Sequence, residues 1–158
     1  MNNFQKNEIL GREAFEQLLK ERNSNIELSF TEDCFSPYDA YFKQYSEKEK
    51  KMKHYFVELK IRNAIYDSYI LERKKLINMR RAAVKDLNLN LEDCVFFYVN
   101  FTPVNTVLWN ITKVDKFLAA EQGTFNKATA ISHKEKKRKL VFYLPVNEGL
   151  VYDYIIKK

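Results

Sequence analysis

Residues 55–62 combine an acid and a base in a pattern that is able to do chemistry. The stretch alternates two sets of side chains, the apolar Val57, Leu59 and Ile61 and the charged Glu58, Lys60 and Arg62. Because side chains of an extended strand point alternately to its two faces, Glu58 and Lys60 would lie side by side on one face. A carboxylate and an ammonium at the edge of a core are costly for a purely structural strand, so we expect this face to serve a reaction.

Asp39 and Glu13 extend this pair to a set suited to the hydrolysis of a phosphodiester bond. Asp39 lies in the preceding extended run, nineteen positions before Glu58. Asp39 and Glu58 are expected to hold one Mg²⁺, or Mn²⁺ in its place, with the Leu59 carbonyl as a further ligand, because these cations prefer oxygen. Lys60 would orient the attacking water or stabilise the developing charge, and Glu13 would be an accessory acid.

The spacing Glu-x-Lys does not by itself select Glu58 and Lys60. The same spacing begins at Glu49, Glu72 and Glu135. Two of those matches lie in charged runs and the third lies on a predicted helix. Only the match at Glu58 has apolar residues before, between and after its charged positions, on a predicted strand that follows an acid-bearing strand.

Each catalytic candidate also has a structural interpretation. Glu58 and Lys60 would equally form a salt bridge on an exposed sheet face. Asp39 would serve as a turn residue after Ser36-Pro37, and Glu13 as an ordinary surface glutamate of an amphipathic helix.

The basic residues remain open between two roles. Arg62 would contact a DNA phosphate or close a salt bridge, and Lys75 would contact a phosphate or be solvated on its helix. The basic runs at residues 48–53 and 134–139 would follow a phosphate backbone or keep loops soluble. The net charge of +6 is compatible with either role.

The apolar periodicity predicts the elements that position these residues. Helices are predicted at 4–22, 69–87 and 113–122, and strands at 26–30, 38–45, 55–62, 94–101, 106–112, 128–132 and 140–144. The order of helix, three-strand meander, helix and further strands predicts an α/β fold with a central mixed sheet flanked by helices. At 158 residues with 46% hydrophobic content, the chain 1–158 is expected to form one domain.

The cysteines and histidines argue against a zinc site. Cys34 and Cys94 are far apart and are interpreted as free thiols of a reducing compartment. His54 and His133 are isolated in the sequence. With no apolar run of transmembrane length and no signal-peptide core at the start, we expect a soluble protein of the cytoplasm, in a bacterial or phage-infected host cell.

Several of these stretches resemble the motifs of the PD-(D/E)XK nuclease superfamily, the restriction-endonuclease-like proteins, and especially its small phage and Bacteroidetes-type members. Pro-Tyr-Asp at 37–39 resembles the first half of the family's motif, and Glu-Leu-Lys at 58–60 resembles the second half. Gly-Arg-Glu-Ala at 11–14 resembles the first helix, whose glutamate often points into the site. Lys75 matches a basic position of the second helix, and the resemblance covers residues 11–101.

The resemblance implies a restriction-endonuclease-like core and an endo- or exodeoxyribonuclease that depends on Mg²⁺. Asp39 and Glu58 would be the metal ligands, Lys60 the catalytic lysine and Glu13 an accessory residue. DNA is the implied partner, and a homodimer or a phage or host protein is a further one. Two alternatives stay open: an inactive nuclease-like module that binds nucleic acid or has a structural role in a phage, and a basic protein that binds a partner chain through an edge strand.

Overall fold

Helix α1 (Asn3–Arg22) begins the chain and packs on the central sheet. The structure, a computed structural model, describes residues 1–23, 25–32, 35–126 and 136–157. A capping box starts the helix, because the Asn2 side chain accepts a hydrogen bond from the Gln5 N–H at 2.9 Å and the Gln5 side chain accepts one from the Asn2 N–H at 3.1 Å. Its buried face repeats every three to four residues, at Gly11, Ala14, Phe15 and Leu18. The helix predicted at 4–22 is confirmed.

Two sheets follow α1 in the described parts of the chain. Their strands are β1 (Leu28–Phe30), β2 (Ala40–Ser46), β3 (Lys51–Ile61), β4 (Ser68–Glu72), β5 (Cys94–Phe101), β6 (Thr106–Asn110), β7 (Glu121–Asn126), β8 (Lys136–Pro145) and β9 (Leu150–Tyr152). Helix α2 (Arg73–Arg81) lies between β4 and β5 in the chain, and a π-helical turn (Ala82–Asp86) continues it. Helix α3 (Val114–Phe117) lies between β6 and β7. The central sheet has the order β1-β2-β3-β5-β6-β9, and the smaller sheet has the order β4-β8-β7.

The central sheet is mixed. Strands β1, β2 and β3 form an antiparallel meander, β3 and β5 are parallel, and the remaining pairs of this sheet are antiparallel. Because parallel neighbours need a crossover, the chain leaves β3, forms β4 and α2, and returns to β5. The predicted α/β fold with a central mixed sheet flanked by helices is therefore confirmed.

Strand β3 separates two layers of core, and its alternation decides which layer the charged residues face. Val57 packs with Ala14 and Phe15 of α1. Phe56 instead belongs to the cluster that contains Leu76 and Met79 of α2. Glu58 and Lys60 lie two and four residues after Phe56, so their side chains project from the same face of the sheet, which is the face that α2 covers.

The second predicted helix begins later than expected. The periodicity suggested a helix at 69–87, but residues 68–72 form β4 and the α-helix is Arg73–Arg81. Tyr69 and Leu71 are buried while their neighbours are half-buried, which is the period of a strand. Pairing with β8 overrides the helical pattern, because β8 supplies the backbone hydrogen-bond partners of this segment.

Strand β3 begins at Lys51, four residues before the predicted strand, and further differences lie in the C-terminal half. The helix predicted at 113–122 is reduced to α3, and residues 121–126 form β7, which pairs with β8. The predicted strand 140–144 is the inner part of β8, and β9 was not predicted. The predicted strand at 128–132, together with His133 and Cys34, lies outside the described residues.

Within the described residues, the cysteine is Cys94 and the histidine is His54. Cys94 is a buried free thiol, as expected. His54 Nδ1 lies 2.6 Å from the hydroxyl of Tyr41. Along the described part of the chain, none of the helices is long and apolar enough to cross a membrane.

Candidate active site

Asp39 is positioned by the end of the ladder between β2 and β3. Its N–H donates to the carbonyl of Val57, the residue that pairs with Ala40 at the start of β2, at 2.8 Å. Its Oδ2 accepts a hydrogen bond from the Leu59 N–H at 2.7 Å. This contact places the Asp39 carboxylate beside Glu58, whose charge acts on it together with those of Lys60 and Lys75. The sheet therefore brings the two predicted carboxylates together.

Glu58 is a buried carboxylate that contacts two ammonium groups. Its side chain is only 2% exposed. Lys60 Nζ lies 3.2 Å from Glu58 Oε1, and Lys75 Nζ of α2 lies 3.0 Å from Oε2. The contact at Oε2 is close but does not have hydrogen-bond geometry, so this buried oxygen keeps unused acceptor capacity. Lys75, a candidate phosphate contact from the sequence, is thus held against the central carboxylate.

Burial and the neighbouring charges bring the pKa of the Asp39 carboxyl group close to neutral pH. Burial raises the pKa of Asp39, and the neighbouring charge of Glu58 raises it further. The hydrogen bond from Leu59 and the ammonium groups of Lys60 and Lys75 lower it only in part, and the resulting pKa is about 7. A nearby cation would therefore favour the ionised form of Asp39.

Lys60 is biased towards its charged form. Burial lowers the pKa of its ammonium, but the charge of Glu58 and the smaller contributions of Tyr98 and Asp39 outweigh this, so the pKa is raised above the ordinary lysine value. Lys60 is consequently a donor of hydrogen bonds and positive charge, which suits it to stabilise an anion and not to remove a proton from water.

The donor set at this point of the sheet fits a hard divalent cation. No group of three His, Cys, Asp or Glu side chains with metal-site spacing is found among the residues that the structure describes. Mg²⁺ usually takes only one or two carboxylates and keeps several waters, and Asp39 and Glu58 can provide these. The Leu59 carbonyl points to the same side of β3 as its N–H, towards Asp39, because both groups of a strand residue lie on one edge. The unused acceptor capacity of Glu58 Oε2 agrees with this fit.

The side chain of Arg62 forms hydrogen bonds with other residues of the protein. Its Nε donates to Asn100 Oδ1, and its Nη2 lies 2.7 Å from the Tyr98 hydroxyl and 3.3 Å from the Ile70 carbonyl. The guanidinium also lies 5.7 Å from the ring centroid of Tyr69. These contacts join β3, β5 and β4, so the structure favours the intramolecular interpretation of Arg62 over a DNA phosphate contact.

Replacing Arg62 with alanine is expected to lower the free energy of unfolding by about 2 kcal/mol, because Asn100 and Tyr98 are buried and would lose a charged partner. Urea unfolding followed by circular dichroism measures this difference. Arg81→Ala is the control, since Arg81 is exposed at the end of α2. Equal stability of the two variants would contradict the assigned role.

Glu13 lies apart from this cluster. It is exposed on α1, on a shallow surface that also includes Glu16 and Lys20. Helix α1 covers the face of β3 that carries Val57 and Ile61, which is opposite to the face of Glu58. The position of the first helix was predicted, but this glutamate is not brought to the carboxylates.

The sequence did not single out Tyr98 and Asn100, which flank the site on β5. In the parallel pairing of β3 and β5, Tyr98 lies beside Glu58 and Asn100 beside Lys60. Both side chains are almost fully buried. A usable signal was present, because Asn100 is a polar residue in a nearly continuous apolar strand and a buried amide needs partners.

Comparisons with known proteins identify a similarity to a solved structure. Comparison of the sequence with protein-family models and with curated proteins finds no match. Among solved structures, the fold is similar to that of Hjc, a Holliday junction resolvase from the archaeal hyperthermophile Archaeoglobus fulgidus. The similarity has a TM-score of 0.47 at 9% sequence identity, and it covers 86% of this chain and 93% of that chain.

Proposed function

We propose that this protein is a nuclease of the PD-(D/E)XK type that hydrolyses phosphodiester bonds of DNA with the help of Mg²⁺. One observation carries the proposal: the Asp39 carboxylate accepts a hydrogen bond from the Leu59 N–H, directly beside Glu58 in the chain, and Lys60 Nζ lies 3.2 Å from Glu58. Two carboxylates from neighbouring strands and a charged lysine are the groups that this reaction needs. Mg²⁺, or Mn²⁺ in its place, is the proposed cofactor.

Asp39 and Glu58 would hold the cation, with the Leu59 carbonyl as a backbone ligand. When bound, Mg²⁺ neutralises charge on the phosphate and lowers the pKa of the attacking water. Asp39 contributes most when ionised, which its pKa of about 7 allows at and above neutral pH. The hydrogen bond from the Leu59 N–H to Oδ2 orients the Asp39 carboxylate and leaves its other oxygen for the cation.

Lys60 would stabilise the negative charge that develops on the phosphate. Its raised pKa keeps the ammonium protonated, and its side chain is 36% exposed, so the group is able to reach a substrate. A fixed donor at the position where charge develops contributes more in a partly buried site than in water. Lys75 would hold Glu58 in place through its contact with Oε2 and balance its charge.

An inactive module that only binds nucleic acid is the alternative, and the burial of the charges argues against it. Glu58 is nearly inaccessible to solvent, and its two ammonium partners are partly buried. Burying such groups carries a desolvation penalty that well-packed apolar residues would avoid. A structural role alone gives no physical reason for this arrangement beside Asp39.

The test combines metal binding with cleavage. Calorimetric titration of Mn²⁺ is expected to give heat with the wild type and at least tenfold weaker binding with Glu58→Gln, because one anionic ligand is removed. Cleavage of linear DNA in Mg²⁺ should be lost in the same variant. Glu49→Gln is the matched control, since Glu49 also pairs with a lysine, Lys53, but lies at the far end of β3.

The Mn²⁺ titration, together with DNA binding and cleavage, distinguishes the nuclease from the inactive module. Equal Mn²⁺ heats for the wild type and Glu58→Gln would contradict the metal site. DNA binding by the wild type without Mn²⁺ binding or cleavage would favour the inactive module.

A further inference from the structure

The two basic runs of the chain differ in how their charges are balanced. In the first run, at the turn between β2 and β3, Lys50 pairs with Glu47 at 3.3 Å and Lys53 with Glu49 at 3.0 Å. A third lysine, Lys51, pairs with an acid outside the run at 2.6 Å. This turn is therefore largely neutralised by its own neighbours.

The described part of the second run, residues 136–139, begins β8 and lies on a two-stranded arm. Strand β4 pairs with β8 only from Glu72↔Val141 onwards, so residues 136–140 pair with β7 alone among the described strands. At about 3.3 Å per residue, this arm extends about 17 Å beyond β4. Lys137 and Arg138 are exposed on it, and the opposite residues 122–126 (Gln-Gly-Thr-Phe-Asn) contain no acid.

The base of the arm is tied to the helix that reaches the candidate active site. Lys139 Nζ lies 2.7 Å from Glu72 Oε1, and Glu72 immediately precedes α2. Lys75 follows Glu72 by three residues, an axial rise of about 5 Å. Since Lys75 Nζ lies 3.0 Å from Glu58 Oε2, the arm begins within about one helical turn of the site.

The first turn of α2 adds exposed charge to the same region. Arg73 and Lys74 are exposed and lie between Glu72 and Lys75. In β8, Lys137 projects from the same face as Lys139, which contacts Glu72, and Arg138 projects from the other face. Four cationic residues, on the first turn of α2 and on both faces of the arm, are here called the arm surface: Arg73, Lys74, Lys137 and Arg138. The neutralised turn instead precedes β3, whose other end carries Glu58.

We propose that the arm surface binds the phosphate backbone of the nucleic acid and leads it to Glu58. The inference rests on the proposed function and adds the surface that holds the substrate. Lysine and arginine side chains bind phosphates without reading sequence, and each contact releases condensed counterions. The partner is a polyanionic nucleic-acid strand or duplex, and its recognition by this surface is independent of base sequence.

The competing explanation is that these charges protect the open edge of the arm. Within the part of the chain that the structure describes, residues 136–140 have no neighbouring strand on one side, and lysines on such an edge hinder pairing with other chains. Edge protection predicts that removing the charges promotes self-association and has no effect on DNA affinity. The two explanations therefore differ in a measurable quantity.

The test uses fluorescence anisotropy of a labelled DNA duplex in buffer without divalent metal. The double variant Lys137→Glu/Arg138→Glu is compared with Lys48→Glu/Lys50→Glu, which makes the same charge change at exposed positions of the neutralised turn. That turn is eight residues along β3 from Glu58, about 26 Å. Lys137→Gln/Arg138→Gln removes the charges without reversing them, and thermal unfolding verifies that every variant folds.

The arm variant is expected to bind at least tenfold more weakly, and the slope of log affinity against log salt should fall by about 2, because two phosphate contacts are lost. The turn variant should stay within about threefold of the wild type. Equal affinities of the arm variant and the wild type would overturn the inference, and so would equal losses in both double variants. Loss of monomer in size-exclusion chromatography with unchanged DNA affinity would favour edge protection.

Cleavage in Mg²⁺, measured on the same preparations, separates this inference from the proposed function. A wild type that cleaves DNA, with an arm variant that binds and cleaves equally well, would refute the arm surface and leave the nuclease assignment intact. A wild type that neither cleaves nor binds DNA would refute both.

Discussion

Replacing Lys60 with alanine is expected to lower the rate of metal-dependent DNA cleavage by about 10²–10³-fold, the effect of removing one donor that stabilises developing charge. The ammonium lies 3.2 Å from Glu58, and the raised pKa keeps it charged. The fold should persist, because the side chain is 36% exposed and Lys75 still contacts Glu58. Single-turnover cleavage in Mg²⁺ measures the rate.

A pH profile tests the electrostatic coupling between Lys60 and Asp39. Lys60 lowers the pKa of Asp39, so its removal should move the pKa of Asp39 upwards from about 7. Mn²⁺ binding by Lys60→Ala should consequently need a higher pH than binding by the wild type. Lys43→Ala is the control, since Lys43 is an exposed lysine of β2. Cleavage by Lys60→Ala at the wild-type rate would show that the assignment is wrong.

Replacing Asp39 with asparagine is expected to abolish Mn²⁺ binding and to make the metal-free protein more stable above neutral pH. The pKa of Asp39 is raised from 3.8 to about 7, so the folded state binds more protons than the unfolded state between these values. The free energy of unfolding that this group contributes therefore falls as pH rises from 3.8 to about 7. A shift of this size corresponds to at most about 4 kcal/mol.

Urea unfolding at about pH 5 and about pH 8 without metal measures this effect. The wild type should lose stability between the two pH values, and Asp39→Asn should lose less, because asparagine stays neutral and still accepts the hydrogen bond from Leu59. Saturating Mn²⁺ should stabilise the wild type at about pH 8 and not the variant.

Asp115→Asn gives a control without a slope in this pH range. The hydrogen bonds from Arg80 lower the pKa of Asp115 below its ordinary value, so its contribution to stability is fully present at both about pH 5 and about pH 8, and Asp115→Asn should run parallel to the wild type. Parallel pH profiles for Asp39→Asn and the wild type would contradict the raised pKa of Asp39.

Part of this site follows from the sequence alone, because strand alternation is a local property. Residues 55–62 alternate with period two, which by itself determines that Glu58 and Lys60 share a face and that Val57 points to the other. The continuous apolar run 94–101 similarly determined a buried strand, and β5 has the predicted bounds. The helical spacing of apolar residues likewise predicted α1 within one residue of its bounds, because amphipathic periodicity is also local.

Tertiary structure decided which groups surround the shared face. Tyr98 lies beside Glu58 only because β5 pairs in parallel with β3, and Lys75 reaches Glu58 only because α2 crosses over between them. The helical pattern at 69–87 gave way to β4 because β8 supplies a hydrogen-bonding partner from the far end of the chain. Such contacts join segments that are distant in the sequence, so no local pattern encodes them.

The same distinction applies to the charges. The sequence showed two basic runs and several glutamates on the first helix, without an order of importance. Lys51 is neutralised by Asp93 across the fold, whereas Lys137 and Arg138 stay exposed on the arm. Glu13 lies on the exposed side of α1, because the helix buries its apolar side on the sheet face opposite Glu58. Residue types and local spacing thus determined which chemistry is available, and the packing of distant segments decided which charges meet, since the energy of an ion pair depends on separation and burial in space.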